Sequence, residues 1–377
     1  MAGTSREKKY CCDNHRRLAG KRKAKVAVES TSDKLISDEE MKFRRDLERG
    51  AGKIKILFDA LEPSIRQIDP NQIKSVTLKK SPKSSNQETM VCLISDCHMA
   101  LVTDSYNIDI AVERGDYHIN RILRIFDIIT GTIPIKKIVL IFLGDVVAGQ
   151  DIYPAQAYHT EAIVMQQIYS HASPFVIKMI KSVAELVPKV VVHMISGNHG
   201  RTGKDVPREV NFDNILAMDI RRRFETHPRV KVNVYWQTKA IVSIEKRLFL
   251  ITHGDLIRQW FNIPIYGLVN KGMRWQGAIE YNWSYMVHGH FHTALKFSWN
   301  NFQIIGNGCY PTGDTFAMDQ LGMASLPVQQ VFGVHPEHGI TWDYWINLDK
   351  EGVAFKNVEL EPGIQLPPEP EPLRLDA

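Results

Sequence analysis

The chain has 377 residues, 44% apolar and 24% charged, with a formal net charge of +5. That is an ordinary globular composition with room for one large core plus extensions. Its longest dense apolar run, Ile138 to Leu143, falls far short of the ~20 residues a membrane span needs, and the polar first residues hold no signal-peptide core. The cysteines (Cys11, Cys12, Cys92, Cys97 and Cys309) follow no disulfide-framework spacing, so the expected setting is reducing and intracellular, with no membrane partner.

In chain order, residues 1–25 carry nine Lys or Arg against Glu7 and Asp13, with no apolar periodicity. They read as a solvated arm or as a tether for nucleic acid. Cys11-Cys12-x-x-His15 offers half of a zinc site with no second half in view. From Thr31 to Ile68 the pattern is helical, with Ser37-Asp38-Glu39-Glu40 as its start. Lys79 to Asn86 reads as a linker. Three regions are therefore expected: a basic arm with helical extension over 1–88, a catalytic domain over 89–348, and a Pro-rich tail over 349–377 ending in Pro367-Pro368-Glu369-Pro370-Glu371-Pro372.

Within 89–348 strands alternate with helices: strand 90–95, helix 116–129, strand 137–143, helix 157–186, strand 189–195 and helix 211–224. This alternation predicts a layered α/β domain. The second half is richer in strands, at 230–236, 239–244, 247–252, 284–288, 294–298 and 302–306, with a helix over 266–280.

The chemistry sits where short apolar runs stop. Leu93-Ile94-Ser95 runs into Asp96-Cys97-His98, and Ile138–Leu143 into Gly144-Asp145. Val190–Ile195 runs into Gly197-Asn198-His199, Leu248–Thr252 into His253-Gly254-Asp255, and Trp283–Val287 into His288-Gly289-His290-Phe291-His292. Open α/β sheets build their sites at the carboxyl ends of strands. Five such ends capped by Asp, Asn or His predict a hydrolytic metal centre of two ions. Asp96 and His98 lie two apart, and in extended chain i and i+2 point the same way. Cys97 between them then faces the opposite side as a buried apolar group. His290 and His292 repeat the spacing, with Gly289 letting the backbone pass close. His288 reads as a core histidine.

Taken in order, Asp-x-His, Gly-Asp, Gly-Asn-His, a lone His before Gly, and Gly-His-x-His resemble the calcineurin-like metallophosphoesterases, over roughly residues 90–310. The resemblance implies an α/β fold, a four-layer αββα sandwich, here with an N-terminal extension. It also implies two divalent ions, manganese first, with zinc, iron or magnesium as alternatives. One ion would take Asp96, His98, Asp145 and His292. The other would take Asp145, Asn198, His253 and His290, with Asp145 bridging. Two ions roughly 3.5–4 Å apart activate water near neutral pH and clamp a phosphate, which leaves His199 as the acid for the leaving alkoxide. The family usually follows Gly-Asn-His with an acidic residue. Here Gly200 and Arg201 follow, so His199 lacks that partner, and Arg201 is either a phosphate-binding guanidinium or a solvated loop arginine.

For substrate, the first expectation is a nucleic-acid phosphodiester hydrolysed by an exonuclease-like enzyme. The basic arm, Arg221-Arg222-Arg223 and Lys178 to Lys181 suit a polyanion, and Tyr153, Trp260, Phe261 and Trp275 are candidates to stack bases. Gly144 to Gln156 locally resembles the small subunit of archaeal replicative DNA polymerase, and the motif set is shared with double-strand-break repair nucleases. Val146-Val147-Ala148-Gly149 lacks the Arg-Gly signature of Ser/Thr protein phosphatases. A small-molecule phosphodiesterase or phosphomonoesterase is the alternative enzyme, and a scaffold subunit of the same fold the non-enzymatic one.

Overall fold

Apolar strands whose successive side chains point to opposite faces build two sheets back to back. The computed structural model describes residues 61–74, 87–261, 263–313 and 326–349. The basic arm, the Cys11/His15 pattern, the helical pattern up to residue 60, the linker at 79–86 and the Pro-rich tail lie outside the described residues.

The first sheet has strands β1 (Glu88–Ile94), β2 (Ile135–Phe142), β3 (Lys189–Ile195), β4 (Val230–Tyr235), β10 (Val328–His335) and β11 (Gly339–Asn347), in the order β11-β10-β1-β2-β3-β4. β1 to β4 run parallel, and β10 and β11 add antiparallel on one edge. The second sheet orders β5 (Lys239–Ile244), β6 (Arg247–Thr252), β7 (Tyr285–His288), β9 (Phe302–Gly306) and β8 (Leu295–Trp299). In it β6, β7 and β9 are parallel, and β5 and β8 are antiparallel edges.

Because side chains alternate, Val91, Leu93, Val139 and Ile141 meet Val242, Phe249, Ile251 and Ile305 between the sheets. Met90, Cys92, Ile94, Leu140 and Phe142 face the other way, under helices α1 (Ile108–Thr130), α2 (Ser173–Ala184) and α3 (Phe212–Arg223). Helix α4 (Ile265–Ala278) covers the outer face of the second sheet through Leu268, Val269 and Trp275 over Leu250, Met286 and Ile304. The layers are thus helices, sheet, sheet, helix, the predicted four-layer sandwich. Each fully buried aliphatic side chain contributes roughly 1.5–3 kcal/mol, so the cores on both faces of the sheets stabilise the scaffold that carries the site.

Several elements differ from expectation. Helix α1 begins eight residues early, at Ile108, because Asn107 caps it by accepting from Ile110 N at 2.9 Å. Gly115 lies inside it where the Phe175 ring approaches; a Cβ there would stand 3.0 Å from that ring. The expected helix 157–186 is broken into a turn at Gln156–His159, a short helical turn at Val164–Gln166, a π-helical turn at Gln167–Ala172 and then α2. Strands β10 and β11 were not expected. Gln329 and Gln330 interrupt the apolar pattern of β10, yet both are buried and bonded to Ser95, Asn307 and Gly306. Residues 61–74 lie against the body, with Ile73 in the helix-side core and Ile68 N donating to Arg223 O. Among the described residues no helix is long and apolar enough to cross a membrane.

Candidate metal centre

The parallel run of β1, β2, β3, β6 and β7 delivers five strand ends to one edge of the sandwich. His98 Nε2 and His292 Nε2 stand 3.1 Å apart, with Asp96 Oδ1 3.4 Å from His292 and 4.0 Å from His98. A second cluster joins Asp145, His253 and His290, and Asp145 also belongs to a group with His98 and His199. Asp145 therefore lies between the two clusters. Asn198 completes the second through Oδ1, 2.9 Å from His253 Nε2.

The donor set fits cations. His253 Nδ1 must donate to the carbonyl of Leu143, 2.7 Å away, which leaves Nε2 as a lone pair in a neutral ring. That lone pair faces Asp145 Oδ2 at 3.0 Å and Asn198 Oδ1 at 2.9 Å. Three acceptors converging at such distances repel unless a positive charge sits among them. The titration behaviour agrees. Burial pulls His253 down, but the charge and hydrogen bond of Asp145 raise it to about 9, so a proton stands in for the cation. His292 is likewise raised against burial, by Cys309 and Asp96. Burial pushes His290 down to about 3. Asp96, opposed by burial, is held down at about 2 by the hydrogen bond and charge of His292.

The backbone reaches this geometry differently from the expected extended chain. Asp96 (φ 52°), His98 (φ 43°), Asp145 (φ 51°), His290 (φ 71°) and His292 (φ 53°) are all left-handed. Tight left-handed turns, not the expected extended i, i+2 register, therefore aim the Asp96 and His98 side chains. These turns are pinned across loops, with Asp96 N donating to Gly144 O, His98 N to Asp145 O and His290 N to Asp96 Oδ2. Gly289 does pass close, since a Cβ there would lie 2.4 Å from Asp96 Oδ2. Cys97 is buried in the helix-side core. His288 is also buried, bonded through Nδ1 to Gly289 O and lowered to about 4 by burial.

His199 sits half-buried at the mouth between two rings, His98 at 4.5 Å and Tyr153 at 4.9 Å between centroids, and its backbone N donates to Asp145 Oδ1 at 2.7 Å. Burial first, partly opposed by Asp145, holds its imidazole below the usual range. Arg201 turns away into its own loop, where Nη2 donates to the carbonyls of Lys204 and Val206 at 3.2 and 3.3 Å. Arg208 instead reaches Asp255, tying the loop after β3 to the loop after β6.

Sequence reasoning missed the residues that hold the loops. Asp213, buried at the start of α3, accepts from Asp145 N (2.8 Å), Val146 N (3.2 Å), Val147 N (3.3 Å) and Gly197 N (2.9 Å). Burial and the neighbouring Asp145 charge raise it to about 6. Asn211 caps α3 from Asp213 N and donates to Gly197 O at 2.7 Å. The Asn-Phe-Asp opening of α3 was the available signal, though it reads as an ordinary helix cap.

Of the proposed stacking aromatics, Tyr153, Trp260 and Phe261 are exposed, at 44, 56 and 96%. Trp275 is not: it is buried under α4, because it belongs to that helix's apolar face.

A double sheet with helices on both outer faces, and clustered His and Asp at one strand edge, defines a metal-binding phosphoesterase architecture. The family comparison agrees over residues 89–335, which match the model of the calcineurin-like phosphoesterases. The chain belongs to that family. No curated protein sequence matches it. Among solved structures it is similar to an archaeal phosphodiesterase (12% identity, TM-score 0.31, covering 68% of this chain and 99% of that one). It is also similar to zinc-bound Vps29 of Entamoeba histolytica (10%, 0.33, 69% and 99%) and to a predicted phosphoesterase of Streptococcus pneumoniae (12%, 0.27, 69% and 98%).

Proposed function

We propose that this chain is a dinuclear metal-dependent phosphodiesterase whose substrate is a small phosphodiester. The observation that carries the reading is the placement of Asp145 between two donor clusters. Asp96, His98, Asp145 and His292 would hold one ion, and Asp145, Asn198, His253 and His290 the other. When bound, two divalent ions activate water near neutral pH and offset the charge on the phosphoryl oxygens. This donor set of imidazole, carboxylate and amide oxygen suits manganese, zinc, iron or magnesium, with manganese our first choice. His199, at the open side of the first cluster, is placed to give a proton to the leaving alkoxide. Arg201 commits Nη2 to the carbonyls of its own loop, so it is not assigned to phosphate recognition in this reading.

Two features favour a small substrate over a polymer. Lys178 pairs with Asp116, Arg222 with Glu62 and Glu225, and Arg223 with Asp219. These charges stand on α2 and α3 in the helix layer, not on the strand edge that carries the donors. They are also neutralised in place, so they offer a polyanion little net attraction. The nuclease remains the second reading, favoured by the exposed Tyr153, Trp260 and Phe261 as stacking surfaces.

The test is manganese-loaded protein assayed against a bis-aryl phosphodiester, cyclic nucleotides, an aryl phosphomonoester, single- and double-stranded DNA, and RNA. Turnover on the small diesters should exceed that on polymers. Preferential cleavage of DNA or RNA would install the nuclease reading, and no hydrolysis by fully metallated protein would leave a scaffold.

A further inference from the structure

Asn198 can serve a metal only through its amide oxygen, and the shape of an amide does not tell oxygen from nitrogen. A flip about the last torsion would put –NH₂ where Oδ1 now faces His253. With the oxygen turned toward a cation, the amide nitrogen needs an acceptor on the other side. Asn198 Nδ2 donates to the hydroxyl oxygen of Tyr153 at 2.7 Å, while Oδ1 points into the donor cluster. The same tyrosine packs its ring against His199, the neighbouring residue in the motif, at 4.9 Å and 55°.

Tyr153 is itself held in place. Gln156 Oε1 accepts from Ile152 N and Tyr153 N at 2.9 and 3.1 Å, and its Nε2 donates to Ala148 O and His199 O at 2.7 and 3.2 Å. Gly149, in left-handed conformation (φ 72°), lets this loop touch the same carbonyl, because a Cβ there would overlap His199 O. The β2 loop is thereby stitched to the Asn198-His199 turn at three points.

We propose that Tyr153 is a positioning residue for the metal centre: its hydroxyl orients the Asn198 amide so that oxygen faces the second ion, and its ring buttresses His199 where no acidic residue follows in the chain. The inference rests on the reading of Asn198 as a ligand. A group that orients a metal ligand typically governs metal affinity by 10–100-fold.

The test is equilibrium dialysis of the full chain against manganese alone, followed by elemental analysis. Tyr153→Phe removes only the hydroxyl, so it should weaken binding of one ion 10–100-fold while leaving the other and the thermal melt of metal-free protein unchanged. Asn198→Asp separates orientation from general support, because a carboxylate presents oxygen either way round. In that background Tyr153→Phe should cost much less. An equal loss in both backgrounds, or wild-type affinity in Tyr153→Phe, overturns the proposal. Asn198→Ala serves as the control. If it too keeps both ions at wild-type affinity, the ligand reading fails. If it loses one while Tyr153→Phe does not, only the positioning role fails. Tyr153→Ala, which removes the ring as well, should lower turnover on poor leaving groups beyond the loss in Tyr153→Phe. Equal rates in the two variants would leave the ring without a part in holding His199.

Discussion

His253 and Asp145 face each other at 3.0 Å, Nε2 to Oδ2, while the other nitrogen of His253 is committed to the Leu143 carbonyl. A cation between them resolves this pairing, and Asp145 is the residue common to both clusters. Fully metallated protein should therefore hold two ions per chain, and Asp145→Asn should weaken both. Elemental analysis after dialysis checks this; a stoichiometry near one, unaltered in the mutant, would refute the bridging role.

His199 is flanked by rings and not assigned to either ion. His199→Ala should preserve metal content and lower turnover by ~10²–10⁴-fold if it is the general acid. The deficit should shrink as the leaving group becomes more acidic, since such groups need no proton. A deficit independent of leaving group would assign His199 to phosphate orientation instead.

Asp213 satisfies four backbone N–H groups across the β2 and β3 loops. Asp213→Ala strands those donors in a buried site, at a cost on the order of 3 kcal/mol. It should also lower metal affinity, because the backbone carrying Asp145 is released. Urea unfolding and metal dialysis on the same variant should move together; a stable variant with wild-type metal binding would sink the idea.

Acid should unfold the chain partly through histidines remote from the donors. Burial lowers His118 to about 3 and His193 to about 4, against an ordinary value of 6.5. Between those limits the unfolded chain binds protons that the folded chain refuses, so this stability is intact above pH 6.5 and drains away as pH falls. Each unit is worth about 1.4 kcal/mol at most. In chelator-treated protein, His118→Gln should flatten the slope of stability against pH between 6.5 and about 3. An unchanged slope would show that His118 is protonated in the folded state.

The basic arm supplies the remaining test of the polymer reading. Deleting residues 1–25 removes nine Lys or Arg, and each lost phosphate contact should reduce the log–log salt slope by about 0.9 for duplex DNA or about 0.7 for single strands. Hydrolysis of a small aryl diester should not change. An unaltered salt slope would return the arm to a solvated extension.

Much of the architecture was legible because β1, β2, β3, β6 and β7 are apolar runs that end abruptly in donor residues, and strand ends in such sheets gather at one edge. What the pattern could not convey were interactions without periodicity. β10 was hidden because Gln329 and Gln330 pair with Ser95 and Asn307 inside the sandwich, where glutamine is unexpected. The left-handed turns at Asp96 and His98 leave no local signature, since neither residue is glycine. Arg201 was open to a phosphate role from its place in the chain, and only the fold reveals that carbonyls of residues 204 and 206 engage it. Tyr153 was noticed as an exposed aromatic, but its bond to Asn198 spans 45 residues of chain.

The left-handed backbone at Asp96, His98, Asp145, His290 and His292 has a consequence for how such a protein changes over time. Non-glycine residues in that region cost on the order of 1–3 kcal/mol each, and half-buried His290 and His292 are positions where glycine would sit more comfortably. Endurance and hydrolysis therefore pull these positions in opposite directions. A lineage released from the need to hydrolyse would drift toward a hardier sandwich by losing these histidines first, while selection for turnover keeps the chain less robust than its core allows.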